Sequence, residues 1–383
     1  MPIEVTRHIP LAVRCMLWGR AAGRCEFAGC NQPLWKSPVT QEQVNIAQNA
    51  HIYSFSDDGP RGNADIASDE LNELANLMLV CHQCHRKIDK EKDGGRYTAQ
   101  LLQEMKGQHE RRIEVVTGID ADRRSHVVLY GANVGDHSSP LSLNATAACL
   151  FPERYPADDK PIELGMINSM LVDRDQDYWR AERRQLARTF ASRVKDRLAT
   201  GEIEHLSVFA LAPQPLLVLL GSLLTDIPQV DVFQLRREPQ GWGWEPDGDP
   251  AGFELTEPAV IAGQPALVLS LSATVTEERI SAAVGPEATL WRVKVPEPHN
   301  DFLRSRRQVR EFRQLLRRAF DRIKAKHGQD AALHVFPAMP VALAVELGRV
   351  HMPKADLTLH IYDQQRDQGF MPALDIPMEV QDD

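Results

Sequence analysis

Four cysteines fall in two pairs: Cys25 and Cys30 form C-x4-C, and Cys81 and Cys84 form C-x2-C. Two such pairs on separate turns suit tetrahedral zinc, because each turn supplies two thiolates and the chain closes around the ion. Cys15 and Cys149 have no partner at such a spacing and read as small buried hydrophobes. Between and beside the pairs stand His51 in Asn49-Ala50-His51-Ile52, Asn76 in Leu74-Ala75-Asn76-Leu77, and His85 directly after Cys84. A hydrolysis needs a water made nucleophilic and a leaving group whose charge is stabilised. Imidazole is the side chain that can take a proton near pH 7, which Lys or Arg cannot.

The order Cys-x4-Cys, then Ala50-His51-Ile52, then the run from Ala75 to Asp89 (ANLMLVCHQCHRKID) resembles the zinc-knuckle branch of the HNH endonucleases. The resemblance covers residues 20–110 and implies an α+β fold, the ββα-metal unit. It implies that the zinc on the four cysteines is structural and that a second ion, magnesium, is catalytic. It makes His51 the general base, carried on a strand. His85, opening the helix after the knuckle, would coordinate the magnesium on the scissile phosphate. Asn76 would orient the His51 loop or join the metal shell. Many HNH enzymes place Asp or His just before the base, where this chain has Ala50; Asn76, Asp89, Asp65 or a backbone oxygen are the candidates to replace it. Lys87, Lys90 and Lys92, and Arg61 in the loop from Asp57 to Gly62, are candidate contacts to DNA backbone or plain solvated residues.

These residues need elements to hold them. Pro10 to Ala22 has helical spacing of apolar residues and ends at Gly23. Val44 to Phe55 reads as a strand, Leu71 to Val80 leads into the second cysteine pair, and Thr98 to Val116 reads as a helix. Residues 117–145 show little periodicity and are rich in Gly, Asp, Ser and Asn, which places a first domain at 1–125 and a linker at 126–145.

From residue 146 strands and helices alternate with short connections, which predicts α/β layers around a largely parallel sheet. The strands are expected at 205–211, 230–235, 266–272, 290–295, 333–336 and 357–362, with helices at 175–199, 215–225, 276–283, 305–327 and 341–350. An internal repeat runs through this region. Val208-Phe209, Pro213, Leu216, Val218, Leu220 and Gly221 match Val335-Phe336, Pro340, Leu343, Val345, Leu347 and Gly348 at a constant offset of 127 (335 − 208, 348 − 221). It divides the region into halves of about 146–250 and 251–383. Each copy puts a loop after its strand, where open α/β sheets bind ligands. Trp242, Trp244 and Trp291 are candidates to stack on bases, or else core.

The segments Phe209-Ala210-Leu211-Ala212-Pro213, Gly241-Trp242-Gly243-Trp244, Phe336-Pro337-Ala338-Met339-Pro340 and Glu346-Leu347-Gly348-Arg349 resemble the SAVED domain, two fused CARF-like (Rossmann-type) units that sense cyclic oligonucleotides. HNH joined to SAVED is similar to the effector nucleases of bacterial CBASS anti-phage systems. That resemblance implies a cyclic di- or trinucleotide activator, homo-oligomerisation as a dimer or tetramer, and cutting of double-stranded DNA. The ligand contacts it suggests are Pro213, Gln214, Trp242, Trp244, Phe336, Ala338 and Met339.

The totals restrict the alternatives. The composition, 43% hydrophobic and 25% charged, is that of a globular protein. No apolar run approaches the ~18 residues a membrane helix needs, no signal peptide is visible, and a cytoplasmic location is expected. There six cysteines read as metal ligands or thiols rather than disulfides. The net charge of −9 argues against a protein that coats DNA. Two rivals remain: a restriction-type HNH nuclease with a DNA-reading C-terminal domain, favoured by the basic helix 304–326, and a non-catalytic zinc module on a ligand-binding scaffold.

Overall fold

Leu77 to Cys81 is buried at every position because it is a strand with core on both faces. The computed structural model describes residues 8–56, 58–62, 66–67, 70–90, 95–135, 141–166, 171–246, 248–365 and 368–377. The chain forms two compact units, Met1–Asp120 and Ala121–Asp383.

In the first unit, α1 (Leu11–Arg20) precedes a hairpin of β1 (Ala47–His51) and β2 (Leu77–Cys81), which feeds directly into α2 (His82–Ile88); α3 (Ala99–Thr117) completes the unit. The hairpin is antiparallel, with Ala47 opposite Cys81 and His51 opposite Leu77. The register therefore sets His51 at the end of the hairpin away from the cysteine. The Cys81 sulfur caps α2 by accepting from Cys84 N, and Thr98 caps α3 by accepting from Leu101 N. Leu17, Ile52, Met78, Ile88 and Leu102 pack in one core. Beneath the knuckle, the buried Glu26 carboxylate accepts from Leu79 N at 2.5 Å and lies 4.0 Å from Lys106, which pairs with Glu110. Arg20 of α1 reaches the same Glu110 at 2.9 Å. One ionic network thus joins knuckle, β2, α1 and α3.

The second unit opens with β3 (Arg124–Gly131), α4 (Leu143–Thr146), β4 (Tyr155–Pro156), β5 (Ile162–Glu163), α5 (Gln176–Phe190) and α6 (Asp196–Ala199). Then come β6 (His205–Leu211), α7 (Gln214–Leu224), β7 (Gln229–Val232) and a small hairpin of β8 (Arg236–Arg237) and β9 (Gln240–Gly241). The other half holds β10 (Glu254–Thr256), β11 (Pro265–Ser270), α8 (Glu277–Val284), β12 (Thr289–Lys294), α9 (Arg306–His327), β13 (Leu333–Ala338), α10 (Val341–Val350), β14 (Leu359–Gln365) and β15 (Gly369–Ile376). The first half has a parallel sheet in the order β4-β3-β6-β7, with β5 also on β3. The second has the order β10-β12-β11-β13-β14-β15, parallel except for β10 and β15 at its edges. One core spans both halves, with α7 and α10 side by side in it.

Two expectations change. The linker at 126–145 starts inside β3, whose residues from Ser125 to Tyr130 are buried between sheet neighbours and helices. A strand covered on both faces shows a continuous apolar run instead of alternation, here Val127 to Tyr130, and the units part at Asp120 rather than after 125. The first half of the repeat accordingly begins at β3, not at 146. The strand β15 has no counterpart among the expected elements: Pro372 interrupts its pattern, and it is tolerated because β15 is an edge.

Candidate functional sites

The four thiols converge. The sulfurs of Cys25, Cys30, Cys81 and Cys84 all lie within 4.8 Å of one another, with Cys30 and Cys81 at 3.9 Å. Backbone N–H groups point at them: Cys81 N donates to the Cys25 sulfur at 3.4 Å, and Cys84 N to that of Cys81 at 3.5 Å. Burial pushes the Cys25 thiol up to about 12 and raises that of Cys84. Burial also acts on Cys81, but there the N–H and S–H donors around it prevail and hold the thiol below its usual range. Grouping four sulfurs this way makes sense around a dication, which deprotonates its thiol ligands and offsets their charge. The donor set fits zinc. Of the unpaired cysteines, Cys15 is exposed on α1 instead of buried, and Cys149 is half-buried.

His51 ends β1, half-buried, with Nε2 3.1 Å from Asn72 Oδ1 and its ring edge-on to Phe55. Asn76 is buried under the loop that follows. Its Nδ2 donates to Tyr53 O (3.1 Å) and Leu71 O (2.9 Å), and its Oδ1 accepts from Tyr53 N at 2.7 Å. A carboxamide held by backbone on both ends and 2% exposed fits the geometry of the orienting role and corrects the expectation of a magnesium ligand. His85 lies one residue past the knuckle on α2, with Nε2 3.5 Å from Asp89 Oδ2. Among the described residues, no second group of three or more His, Cys, Asp or Glu side chains converges as the cysteines do. Arg61 turns inward, its side chain 4% exposed, which removes it as a phosphate contact. Lys87 and Lys90 are exposed. Asp57, Asp65 and Lys92 lie outside the described residues.

In the second unit the two repeat loops meet each other. Gln214 Nε2 donates to Met339 O (3.1 Å) and Gln214 Oε1 accepts from Met339 N (3.3 Å). Pro213 and Met339 are buried, Ala338 half-buried. Of the aromatic residues expected to contact ligand, Phe336 and Trp242 are core and Trp244 is half-buried. Phe336 is fully buried, stacked on Tyr362 at 4.6 Å. Trp242 is 6% exposed and edge-on to Phe209. Trp291 is fully buried and donates to His327 Nε2 at 3.1 Å, while Trp244 is half-buried. None of the buried rings has a face free for a base.

Sequence reasoning missed the residues at the same strand ends. The segment before α5 crosses to the second half, where Gln365 Nε2 donates to Asp173 O at 3.1 Å. Burial, reinforced by Asp173, pushes the Asp363 carboxyl up to about 7. Nothing in the spacing of residues so far apart in the chain could have joined them.

Residues 186–376 match the family described as the SMODS-associated and fused to various effectors sensor domain, SAVED. No curated protein matches the chain. Among solved structures, it is similar to the Cap4 SAVED/CARF-domain containing receptor of Acinetobacter baumannii. With the cyclic trinucleotide 3'3'3'-cAAA, the TM-score is 0.43 at 11% identity, covering 72% of this chain and 60% of that one. With 2'3'3'-cAAA the TM-score is 0.42 at 11% identity, covering 80% and 64%. A third structure of the same receptor gives 0.40 at 10% identity, covering 80% and 63%. The chain thus spans less than two-thirds of the receptor chains it matches.

Proposed function

We propose, from a chain whose residues 186–376 form a SAVED domain, that this protein is a metal-dependent HNH endonuclease switched on by a cyclic oligonucleotide in CBASS-type anti-phage defence. The observation that carries the reading is a sensor domain following a unit in which a hairpin ending at His51 runs into a helix bearing His85, stapled by four cysteines.

In this reading His51 takes the proton of the attacking water. Asn76 fixes the Tyr53 backbone two residues on, so the base keeps its place. Zinc held by the four cysteines would tie α2 to the hairpin and so set His85 relative to His51. Magnesium held by His85 would supply positive charge for the scissile phosphate and the leaving oxygen. The substrate is double-stranded DNA, and the enzyme acts in the cytoplasm.

An untriggered nuclease would degrade its host, so the resting state is inactive. A cyclic di- or trinucleotide at the carboxyl ends of the SAVED strands activates it by binding the active homo-oligomer more tightly than the resting form. A restriction-type enzyme would instead need a free cationic face on the second unit. Most of the arginines of α9 are already engaged: Arg306, Arg307, Arg313, Arg317 and Arg322 pair with carboxylates.

The test is plasmid cleavage with Mg²⁺, with and without a panel of cyclic di- and trinucleotides, beside His51→Ala. Cutting with one ligand only, lost in the variant, is the expected result. Cutting without ligand would move the case to the restriction-type enzyme, and no cutting under any condition would end the nuclease reading.

A further inference from the structure

Arg61 sits in an unusual position. Its φ of 67° is in the left-handed region, where a residue other than glycine is strained. Its long side chain is nevertheless buried, 4% exposed. Four hydrogen bonds account for both facts. Nε donates to Ile52 O at 2.5 Å and Nη2 to His51 O at 3.4 Å. Nη1 donates to Ile88 O at 2.7 Å, and Nη2 also to Asp89 Oδ1 at 2.9 Å. The first two acceptors belong to the end of the strand that carries His51 and the residue after it. The other two belong to the end of the helix that carries His85. The second oxygen of Asp89 lies 3.5 Å from His85 Nε2.

One guanidinium therefore spans the gap between the two candidate catalytic elements at the end the zinc does not reach. The cysteines clamp β2 to the start of α2; Arg61 clamps the end of β1 to the end of α2. Without it the carbonyls of Ile52 and Ile88 would lose these donors in a half-buried site. A planar fork with five donors can serve both elements and a carboxylate at once, and lysine cannot.

We propose that Arg61 and Asp89 are positioning residues of the nuclease site. Arg61 fixes the distance between His51 and His85 and holds Asp89 in place. Asp89 Oδ2, 3.5 Å from His85 Nε2, is placed to receive the N–H of that nitrogen, which would leave Nδ1 as the ring nitrogen with a lone pair for a metal. Metal-binding histidines are commonly oriented by a carboxylate on their other nitrogen. Asp89, a candidate from sequence for the ligand missing at Ala50, becomes the residue behind the ligand. The inference rests on the nuclease reading for what the two histidines do.

The test uses the full chain and two readouts. In magnesium-free protein that keeps its zinc, with ¹⁵N-labelled histidine, ring correlation spectra report which nitrogen of His85 carries the proton. The wild type should hold the Nε2–H form; Arg61→Met should mix the tautomers, and so should Asp89→Asn, whose amide can turn an N–H to the ring. In ligand-activated DNA cleavage, kcat should fall about 10- to 100-fold in both variants with KM within about twofold, and Arg61→Lys should recover only part. Raised KM with unchanged kcat and a shallower salt dependence would make Arg61 a phosphate contact and overturn the proposal. Unchanged tautomer together with unchanged kcat would overturn it too. Should Arg61→Met fail to fold, Asp89→Asn carries the test, since that side chain is 36% exposed. If the wild type cuts no DNA, the nuclease reading falls by itself and the ring spectra still decide the positioning role.

Discussion

Gly221 of α7 and Gly348 of α10 are each pressed against the other's helix. A Cβ on Gly221 would stand 1.9 Å from the carbonyl oxygen of Val345, and one on Gly348 would stand 1.9 Å from that of Val218. The two glycines are 127 residues apart (348 − 221), and so are the two valines (345 − 218). The repeat read from the sequence is therefore also a spatial exchange: each helix offers its glycine to the carbonyl that its counterpart offers in return. Helices reach this proximity only where no side chain intervenes.

Gly221→Ala and Gly348→Ala should both destabilise the second unit. In an exposed helix the same change would stabilise by about 1 kcal/mol. Here the methyl meets a backbone oxygen, and overpacking of this kind costs about 1–3 kcal/mol or more. The sign is the test, read from urea unfolding followed in the second unit. A stabilising alanine at either position would mean the helices are farther apart.

Trp242→Ala separates two readings of a tryptophan. As a stacking platform it would be needed for ligand and dispensable for folding. Its position among Val127, Leu129, Leu150 and Phe233 makes it core. Truncating it should cost about 3–5 kcal/mol of stability, while the folded fraction binds cyclic nucleotide with unchanged affinity by calorimetry. Unchanged stability with lost binding would restore the stacking role.

How far the sequence could be read follows from what each residue answers to. The knuckle was legible because thiolate coordination fixes both residue type and spacing. The helix at Val341–Val350 and the strand at His205–Leu211 came out with their observed ends because Pro213, Pro340 and the apolar runs mark boundaries locally. Arg61 was not legible. An arginine in a Gly-Pro-Arg-Gly loop looks like an exposed turn, and only the tertiary fold brings Ile52, Ile88 and Asp89 around it. Trp242 and Phe336, suggested as ligand contacts, are instead packed away. The glycines beside Trp242 suggest an open loop, but its ring lies edge-on to Phe209 of β6; Phe336 falls in the expected strand, but β13 sets it opposite Val268 of β11 and stacks it on Tyr362.

Zinc content provides a check independent of activity. The full chain should carry one zinc per molecule by mass spectrometry of the native protein. Cys84→Ser should lose it, because three thiolates and a hydroxyl close a much weaker site. Metal binding here is folding free energy. In the variant the unfolding transition of the first unit should drop or vanish while that of the second stays. A metal-free wild type with an intact first unit would argue against a structural ion.

Glu182 gives the second unit a pH dependence with a definite sign. It is 1% exposed on α5, and neither carboxyl oxygen has a hydrogen-bond partner. Burial pushes its carboxyl up from an ordinary 4.5 to about 7. Between those values the folded chain holds a proton that the unfolded chain has released. Stability from this group is thus complete below pH 4.5 and is lost as pH rises through about 7. His205 acts in the opposite sense, since burial lowers it to about 3, but its contribution is complete once pH exceeds its unfolded value. Above pH 6.5 the acid therefore governs the difference between wild type and a Glu182 variant. Glu182→Met, similar in volume and without charge, should flatten the decline and leave the second unit about 3 kcal/mol more stable than wild type at pH 8.5. Parallel pH profiles for the two proteins in urea unfolding would show that Glu182 has a partner in solution that keeps its carboxylate charged.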